Sequence, residues 1–535
     1  MNNDIDVLIV GAGPTGSALA VDLARRGVRI RIIDRNAQGF PGSRAKGIQP
    51  RSLELLEDLG ALDEVLASGS TYPRLGIHLG PFTIPKRMFK LAPTTDDIPY
   101  PNTWLIPQYS TDALIQKRLA PLGCAVEYNT QLTGLTQDAQ GVSAQIEGPA
   151  GVESIRTRYV VGADGGASKV RQSLGIDFIG KTDETDRMII IDCRIEGLNR
   201  KYWHVWPWLG GRFAGACPLP GSDLFQVMIR LQPGEEPQMD DAALDARFRQ
   251  QTGSKKLRLS AIQWKTVFRP NIRLAENYRL GRVFLAGDAA HVHTPMGAQG
   301  LNTGIQDAYN LGWKLGQVLA GAPDALLDSY EDERRPIAAR VLGLSTATYE
   351  ALGKLDSTSI KRGEDEQQLS LTYRAGPLGS TAAGATAKLR AGDRAPDARL
   401  RDAQGNPIDL FELTRGPHFT LVAYGASAAK ALAAVAWPVR GAALKRVAID
   451  GLADADVCVS DVNGSFKTHY DIAKDTLILI RPDGYIGQIA VTGNTAEIER
   501  IAALVAPPHA SRHAAAAHST TGPVSRGNPS FAALE

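Results

Sequence analysis

A doubly wound parallel α/β fold, interrupted by a mostly β segment and followed by a second α/β unit, is what this sequence predicts. Three observations carry it. Apolar, β-prone runs at residues 5–10, 158–163 and 283–286 each lead directly into a glycine-rich turn. Each turn opens into a segment with helical spacing, the pattern of a buried parallel strand feeding a crossover helix. The chain's 535 residues leave room for two to four domains at roughly 100–200 residues each.

Composition excludes several classes. Hydrophobic residues make up 43% and charged residues 22%, the balance of an ordinary globular chain. Lys plus Arg number 59 against 57 Asp plus Glu, a net charge of +2 that supports neither nucleic-acid nor acidic-membrane partners. Cys124, Cys193, Cys217 and Cys458 are scattered, with no CxxC and no histidine at ligand spacing, so neither a disulfide framework nor a metal site is expected. The short apolar run after Met-Asn-Asn-Asp is unlike a signal peptide, and no stretch approaches the ~20 residues that span a bilayer. The expectation is a cytoplasmic protein.

The elements follow in order. Residues 5–10 read as a strand, 17–26 as a helix stopped by Gly27, and 28–33 as a second strand. A helix is expected at 50–59 before Gly60, then irregular or short β structure across the proline-rich 70–105. Alternation at 125–165 suggests an antiparallel meander returning to the strand at 158–163, and 185–270 reads as mostly β. Leu301, Ile305, Ala308, Leu311, Leu315 and Val318 recur at helical steps, and helical patterns persist to about 352. A Gly/Ser/Thr/Ala-rich linker at 355–388 precedes a unit with strands at 419–424, 476–480 and 486–491 and a Pro-Asp-Gly turn between the last two. The predicted division is 1–180 with 270–355 as one discontinuous domain, 181–269 as a β-rich substrate domain, 385–505 as a C-terminal domain, and 506–535 as a disordered tail.

The three turns carry the chemistry. Gly11-Ala-Gly13-Pro14-Thr15-Gly16 lies between strand and helix, and Asp34 follows the next strand, eighteen residues after Gly16. Gly11 permits the tight turn, Gly13 admits a pyrophosphate close to the backbone, and Gly16 lets helix and strand pack. The helix N-terminus offers free N–H groups to the phosphates, and Asp34 can accept from a ribose diol. This is a dinucleotide site, with FAD and NAD both open on this motif alone. A second turn, Gly162-Ala-Asp164-Gly165-Gly166, ends another buried strand, an element an NAD dehydrogenase does not need. In the third, Gly287-Asp288 is followed by Pro295 and Gly300-Leu301-Asn302 at a helix N-terminus. There, amides and the helix dipole suit the anionic edge of a reduced isoalloxazine.

Together GAGPTG (11–16), GADGGASKVR (162–171) and GDAAHVHTPMGAQGLNTGIQDAYNLGWKL (287–315) resemble the FAD-dependent aromatic hydroxylases, closest to the phenol hydroxylase and pentachlorophenol monooxygenase branch. The resemblance implies a Rossmann-like FAD-binding domain, an inserted β-rich substrate domain and a thioredoxin-like C-terminal domain. It implies that Gly11, Gly13, Pro14, Thr15, Gly16, Asp34 and Arg35 hold the ADP half of FAD, and that Arg44 and Gln108 reach the ribityl or pyrophosphate. Asp164 is then shared between FAD and a passing nicotinamide, Asp288 holds the ribityl hydroxyls, and Pro295 with Gly300, Leu301 and Asn302 flank the isoalloxazine. The implied reaction is NADPH- or NADH- and O₂-dependent hydroxylation of a small phenolic or aromatic substrate through a flavin C4a-hydroperoxide. A homodimer is compatible with it. Two departures stand out: Gly297-Ala298-Gln299 where the family has Gly-Gly-Gln, and Lys46 where phenol hydroxylases carry an acid that helps take the phenol's proton. Lys46 can instead steady a phenolate or a carboxylate. The C-terminal unit has Gly-Ala-Ser-Ala-Ala after residue 424 in place of CxxC, so dithiol chemistry is not expected.

The aromatic stretch 202–212 supplies substrate-side candidates. Alternation puts His204, Trp206 and Trp208 on one face, read either as a core face or as the substrate wall, with His204 or Arg212 governing the phenolic proton. Tyr72 and Arg74 are further pocket candidates, and His291 reads as a structural hydrogen-bond partner. Two other readings stay open: another flavin reaction on the same scaffold (halogenation, or oxidation without oxygen insertion), and a non-enzymatic flavin-binding partner protein. The incomplete Trp206-Pro-Trp208 motif speaks against a halogenase, and the Asp164 turn against a mere binder.

Overall fold

A computed structural model describes residues 5–88, 91–182, 186–207, 213–293, 299–353, 367–379, 388–491 and 496–505. Trp208, Arg212, Pro295 and the tail 506–535 lie outside the described residues. In the first sheet, Ile5–Val10 pairs in parallel with Ile30–Ile33 on one side and Gly151–Gly162 on the other, and Gly151–Gly162 pairs in parallel with Val283–Leu285. The register sets Val10 level with Ile33 and Gly162, and Gly162 level with Leu285. Four chain segments therefore leave the sheet at the same edge, and all three glycine turns are among them. That edge is where doubly wound sheets bind their ligands. The helices Pro14–Arg25 and Gly300–Leu319 cover one face and pack on each other. The antiparallel strands Gln131–Gln137 and Val142–Gly148 extend the sheet as the expected meander.

The second sheet has seven strands, in the order Arg258–Phe268, Met188–Glu196, Phe225–Arg230, Phe213–Pro218, Tyr202–Pro207, Arg74–Leu79, Phe82–Lys86. The last two come from the segment read as irregular or short β and kept with the first domain; Arg74–Leu79 pairs in parallel with Tyr202–Pro207. The helix Asp241–Thr252 interrupts the expected run of strands. Asp240 caps it, its Oδ1 accepting from Ala243 N at 2.9 Å, and Gly253 stops it at φ 65°. Its buried Leu244 and Phe248 pack on Ile189, Ile191, Val227 and Ile229, the back face of the sheet. The front face looks toward the first domain.

In the C-terminal unit the order is Val457–Val459, Leu444–Ile449, Phe419–Tyr424, Thr476–Ile480, Ile486–Val491, with the first three parallel and Thr476–Ile480 antiparallel to its neighbours. This is the mixed sheet of a thioredoxin-like domain. Gly425 turns the chain at φ 99° into Ala426–Ala431, where a dithiol motif would sit, and Cys458 is a free thiol. The described part of the expected linker, 367–379, is packed: Gln368, Leu371 and Tyr373 are buried. No helix among the described residues is long and apolar enough to cross a membrane.

Candidate active site

A cavity of about 1380 Å³ runs from the turn edge of the first sheet to the front face of the second. At the first end, Gly11 takes φ 104°, and a Cβ there would lie 2.3 Å from Ala163 O, so the first and second turns touch backbone to backbone. Gly13 has nothing within 4 Å of its would-be Cβ and lies on the cavity wall, leaving the approach a pyrophosphate needs. Asp34 Oδ2 accepts from Ala12 N at 2.9 Å, bracing the turn beside the site a ribose would take. Arg35 and Gln108 line the same end, the latter accepting from Ala45 N at 3.3 Å.

Asp164 is the most telling group here. Its Oδ2 accepts from the amides of Lys169 and Val170 at 2.7 and 3.2 Å, while its Oδ1 is buried on the cavity wall without a partner among the described residues. Burial pushes its pKa up, against the pull of Ser168 and those amides. A buried carboxylate oxygen without a donor costs about 1–3 kcal/mol, and hydroxyl or amide hydrogens of a dinucleotide would satisfy it. The turn glycines and this orphaned acceptor fit FAD.

The third turn completes that end. Asp288 lies on the wall, 3.9 Å from the Arg44 guanidinium, and Gln299, Gly300 and Leu301 bring the N-terminus of the twenty-residue helix Gly300–Leu319 to the cavity. Thr15 lies under two glycines: Cβ atoms at Gly287 and Gly304 would fall 2.4 and 2.2 Å from its Oγ1, which fixes the first turn against the third. Asn302 does not line the cavity; it is buried, accepting from Gln49 N and donating to Gly47 O, both at 2.8 Å. It thereby ties this helix to the Lys46 loop. His291 is buried and donates to Asp307 at 2.6 Å, the structural role read for it. Its neighbour His293 lines the cavity, with burial and His291 holding its pKa down to about 3.

The second sheet supplies the other end. Trp203 and Val205 face the cavity, alongside Met188, Ile190 and Met228 of neighbouring strands. His204 and Trp206 therefore face the opposite way, into the core beneath the helix Asp241–Thr252: they share a face as alternation implies, it is the core face, and the catalytic role weighed for His204 and the substrate contact weighed for Trp206 do not fit. His204 is fully buried; its Nε2 donates to Asn199 O at 2.8 Å and its Nδ1 accepts from His78 at 2.8 Å. Burial lowers its pKa, and it cannot reach a substrate's proton. His204→Phe is expected to cost about 1–3 kcal/mol of stability through the stranded His78 donor, with the pH–rate profile unchanged. Thermal denaturation paired with that profile checks both, and an altered profile would restore His204 to the site.

Tyr72 does line the cavity and donates to Lys46 O at 3.3 Å, whereas Arg74 is exposed at the start of its strand and is not on the wall. Lys46 is on the wall, its Nζ 4.8 Å from the Trp203 ring centroid and donating to Gln226 Oε1. Behind it stand groups that sequence reading passed over. Ser43 N and Oγ both donate to Asp192, each at 2.6 Å, and Gln226 Nε2 donates to Ser43 O and Oγ, each at 2.7 Å. Their signal was present: Asp192 interrupts the apolar run 188–193, and Gln226 stands between Phe225 and the apolar run 227–229.

Comparison with known proteins agrees with this geometry. The family described as FAD binding domain matches residues 4–345, and aromatic-ring hydroxylase, C-terminal, matches 388–506. A flavin-dependent monooxygenase of Mycobacteroides abscessus is 40% identical over 91% of this chain and 98% of its own length. The pentachlorophenol 4-monooxygenase of Sphingobium chlorophenolicum is 32% identical over 90% and 93%. Among solved structures, the anhydrotetracycline hydroxylase of Streptomyces rimosus superposes with a TM-score of 0.74 at 31% identity, covering 94% of this chain and all (100%) of that one.

Proposed function

Because the chain belongs to the FAD-dependent aromatic-ring monooxygenases, we propose that its substrate is a multi-ring hydroxylated aromatic. When bound, FAD would supply the redox chemistry: reducing equivalents accepted from NAD(P)H, and transfer of one oxygen atom of O₂ to an electron-rich ring carbon with the other leaving as water. The protein's share is to hold, orient and keep dry. Gly11, Gly13 and Thr15 would hold the pyrophosphate, Asp34 the ribose, Asp288 and Asp164 the hydroxyl-bearing chain, and the amides at 300–301 the electron-rich edge of the ring system.

The observation that carries the substrate class is the cavity. Its 1380 Å³ exceeds the roughly 300–1,000 Å³ that encloses one drug-sized ligand, so a dinucleotide leaves space for several fused rings. The wall there is largely apolar, made by Trp203, Phe213, Met188, Ile190 and Met228. Relatives named for anhydrotetracycline and for rifampicin act on multi-ring compounds, while the pentachlorophenol relative marks the single-ring outcome.

The test is substrate-dependent NAD(P)H oxidation by the FAD-loaded protein, with peroxide and product both measured. Anhydrotetracycline or a hydroxyanthraquinone is expected to give hydroxylated product carrying an oxygen atom from O₂, whereas pentachlorophenol gives mostly peroxide, because a small ring leaves water in the cavity. Tight coupling with pentachlorophenol and none with multi-ring phenols would overturn the substrate class.

A further inference from the structure

We propose that Lys46 is the substrate-binding cation of this site: its ammonium holds the ionised oxygen of a phenolic substrate, and the Gln226–Ser43–Asp192 relay aims it. The proposal rests on the substrate reading above and adds the ionic form in which the substrate binds.

The relay has one direction. Asp192 can only accept, and it takes Ser43 N and Oγ at 2.6 Å each. The Ser43 hydroxyl, having donated there, accepts from Gln226 Nε2 at 2.7 Å, and Ser43 O takes the same nitrogen at 2.7 Å. Both amide hydrogens of Gln226 are thus spent toward Ser43, so its Oε1 must point at Lys46. A flipped amide would set NH₂ against the ammonium. Gln226 is the one hydrogen-bond acceptor on Nζ among the described residues. The rest of the lysine head lies over the Trp203 ring and opens to the cavity. The Trp203 indole N–H is itself buried without an acceptor among the described residues.

The charges that face Lys46 leave it under-compensated. Asp192 lies at the far end of the relay and Cys217 on the neighbouring strand, while Tyr72 donates to the Lys46 carbonyl. Burial pushes the lysine's pKa down more than Asp192 and Cys217 raise it. No carboxylate among the described residues pairs with Nζ, and a cation in an apolar wall is short of an anion. A phenolate oxygen supplies it. The phenol's proton leaves to solvent as the substrate binds, and the ionised ring is the better nucleophile toward an electrophilic oxygen.

The experiment titrates alizarin, a multi-ring phenol whose anion absorbs to the red of flavin, bound to the FAD-loaded protein across pH. On the unaltered protein its ionisation midpoint is expected at least about one pH unit below that of free alizarin, a tenfold preference for the anion. Lys46→Met returns the midpoint to the free value or above, and Lys46→Arg keeps most of the shift. Gln226→Glu, which sets a carboxylate on Nζ, removes the shift while the lysine stays. Flavin content and flavin circular dichroism confirm that each variant is folded and loaded. Equal midpoints in the unaltered protein and Lys46→Met, or binding of the neutral phenol alone, overturn the proposal. The readout needs no turnover. A protein that shifts the probe but never couples NAD(P)H oxidation to a phenol keeps the anion site and loses the substrate reading.

Discussion

Asp288→Ala yields folded but colourless protein. Asp288 sits in the short turn Gly287–Ala289 directly after the strand Val283–Leu285, with its side chain 38% exposed and lining the cavity. The turn itself does not depend on that carboxylate: Gly287 N donates to the buried Asp307 at 3.0 Å, and Gly287 is fixed against Thr15. Truncating Asp288 therefore removes an anchor without removing its platform. Hydrogen bonds to a charged acceptor contribute about 1.5–3 kcal/mol each, so losing the pair a diol would make weakens FAD by about two orders of magnitude or more. The visible-to-ultraviolet absorbance ratio of purified protein and flavin fluorescence titration of the stripped protein measure the loss. A variant that purifies fully yellow, with unaltered affinity, would remove Asp288 from the cofactor site.

That the three turns were legible from residues alone has a physical reason. A parallel strand buried on both faces leaves a continuous apolar run, and the glycine after it is required by the turn itself, so signal and cause lie within ten residues of each other. Their convergence was not local, and it follows from the register that levels Val10, Ile33, Gly162 and Leu285. The substrate wall was harder for the converse reason. Both faces of Tyr202–Pro207 carry large side chains, one toward the cavity and one toward the core, so a period of two groups His204 with Trp206 but gives no phase, and core face and substrate wall stayed open together. The relay behind Lys46 joins Ser43 to Asp192 and Gln226 across 149 and 183 residues of chain, and only the oddity of polar groups in apolar strands hinted at it. Residues 74–86 joined the second sheet by a pairing equally remote in sequence. The strands at 419–424, 476–480 and 486–491 read correctly because each is a short buried run.

The C-terminal unit has lost its dithiol, yet Glu333→Ala shows what its presence does. Glu333, on the helix Asp328–Gly353, is fully buried and accepts from Lys314 Nζ at 2.8 Å, Asn310 Nδ2 at 2.7 Å, and Arg481 Nη1 and Nη2 at 2.7 and 2.9 Å. Arg481 directly follows the strand Thr476–Ile480 of the C-terminal sheet and turns on to Asp483, which also accepts from Trp313 at 3.1 Å. Burial pushes the Glu333 carboxyl up, but Arg481 and then Lys314 outweigh it and hold the pKa at about 2. Burial drives Lys314 down to about 8 even with Glu333 beside it, so in the variant the lysine sheds its proton, whereas Arg481 cannot. Arg481 keeps its ion pair with Asp483 but loses both bonds to Glu333, and Asn310 loses its acceptor too; buried donors left unmade cost about 1–3 kcal/mol each, a large part of the 5–15 kcal/mol that holds a domain folded. The variant is expected to unfold at much lower urea, followed by tryptophan fluorescence. Since the depressed pKa contributes stability only above the unfolded carboxyl's range, the unaltered protein loses that contribution as pH falls from about 4.5 toward 2, and Glu333→Gln lacks that part of the acid slope. The loss should reach the cofactor. Asn310, Trp313 and Lys314 lie on the same helix whose first residues line the cavity, so loosening its far end disorders the N-terminus that faces the flavin. Glu333→Ala is therefore expected to release FAD at urea concentrations below its own global unfolding; unfolding at the unaltered midpoint with flavin retained would make the C-terminal unit a bystander.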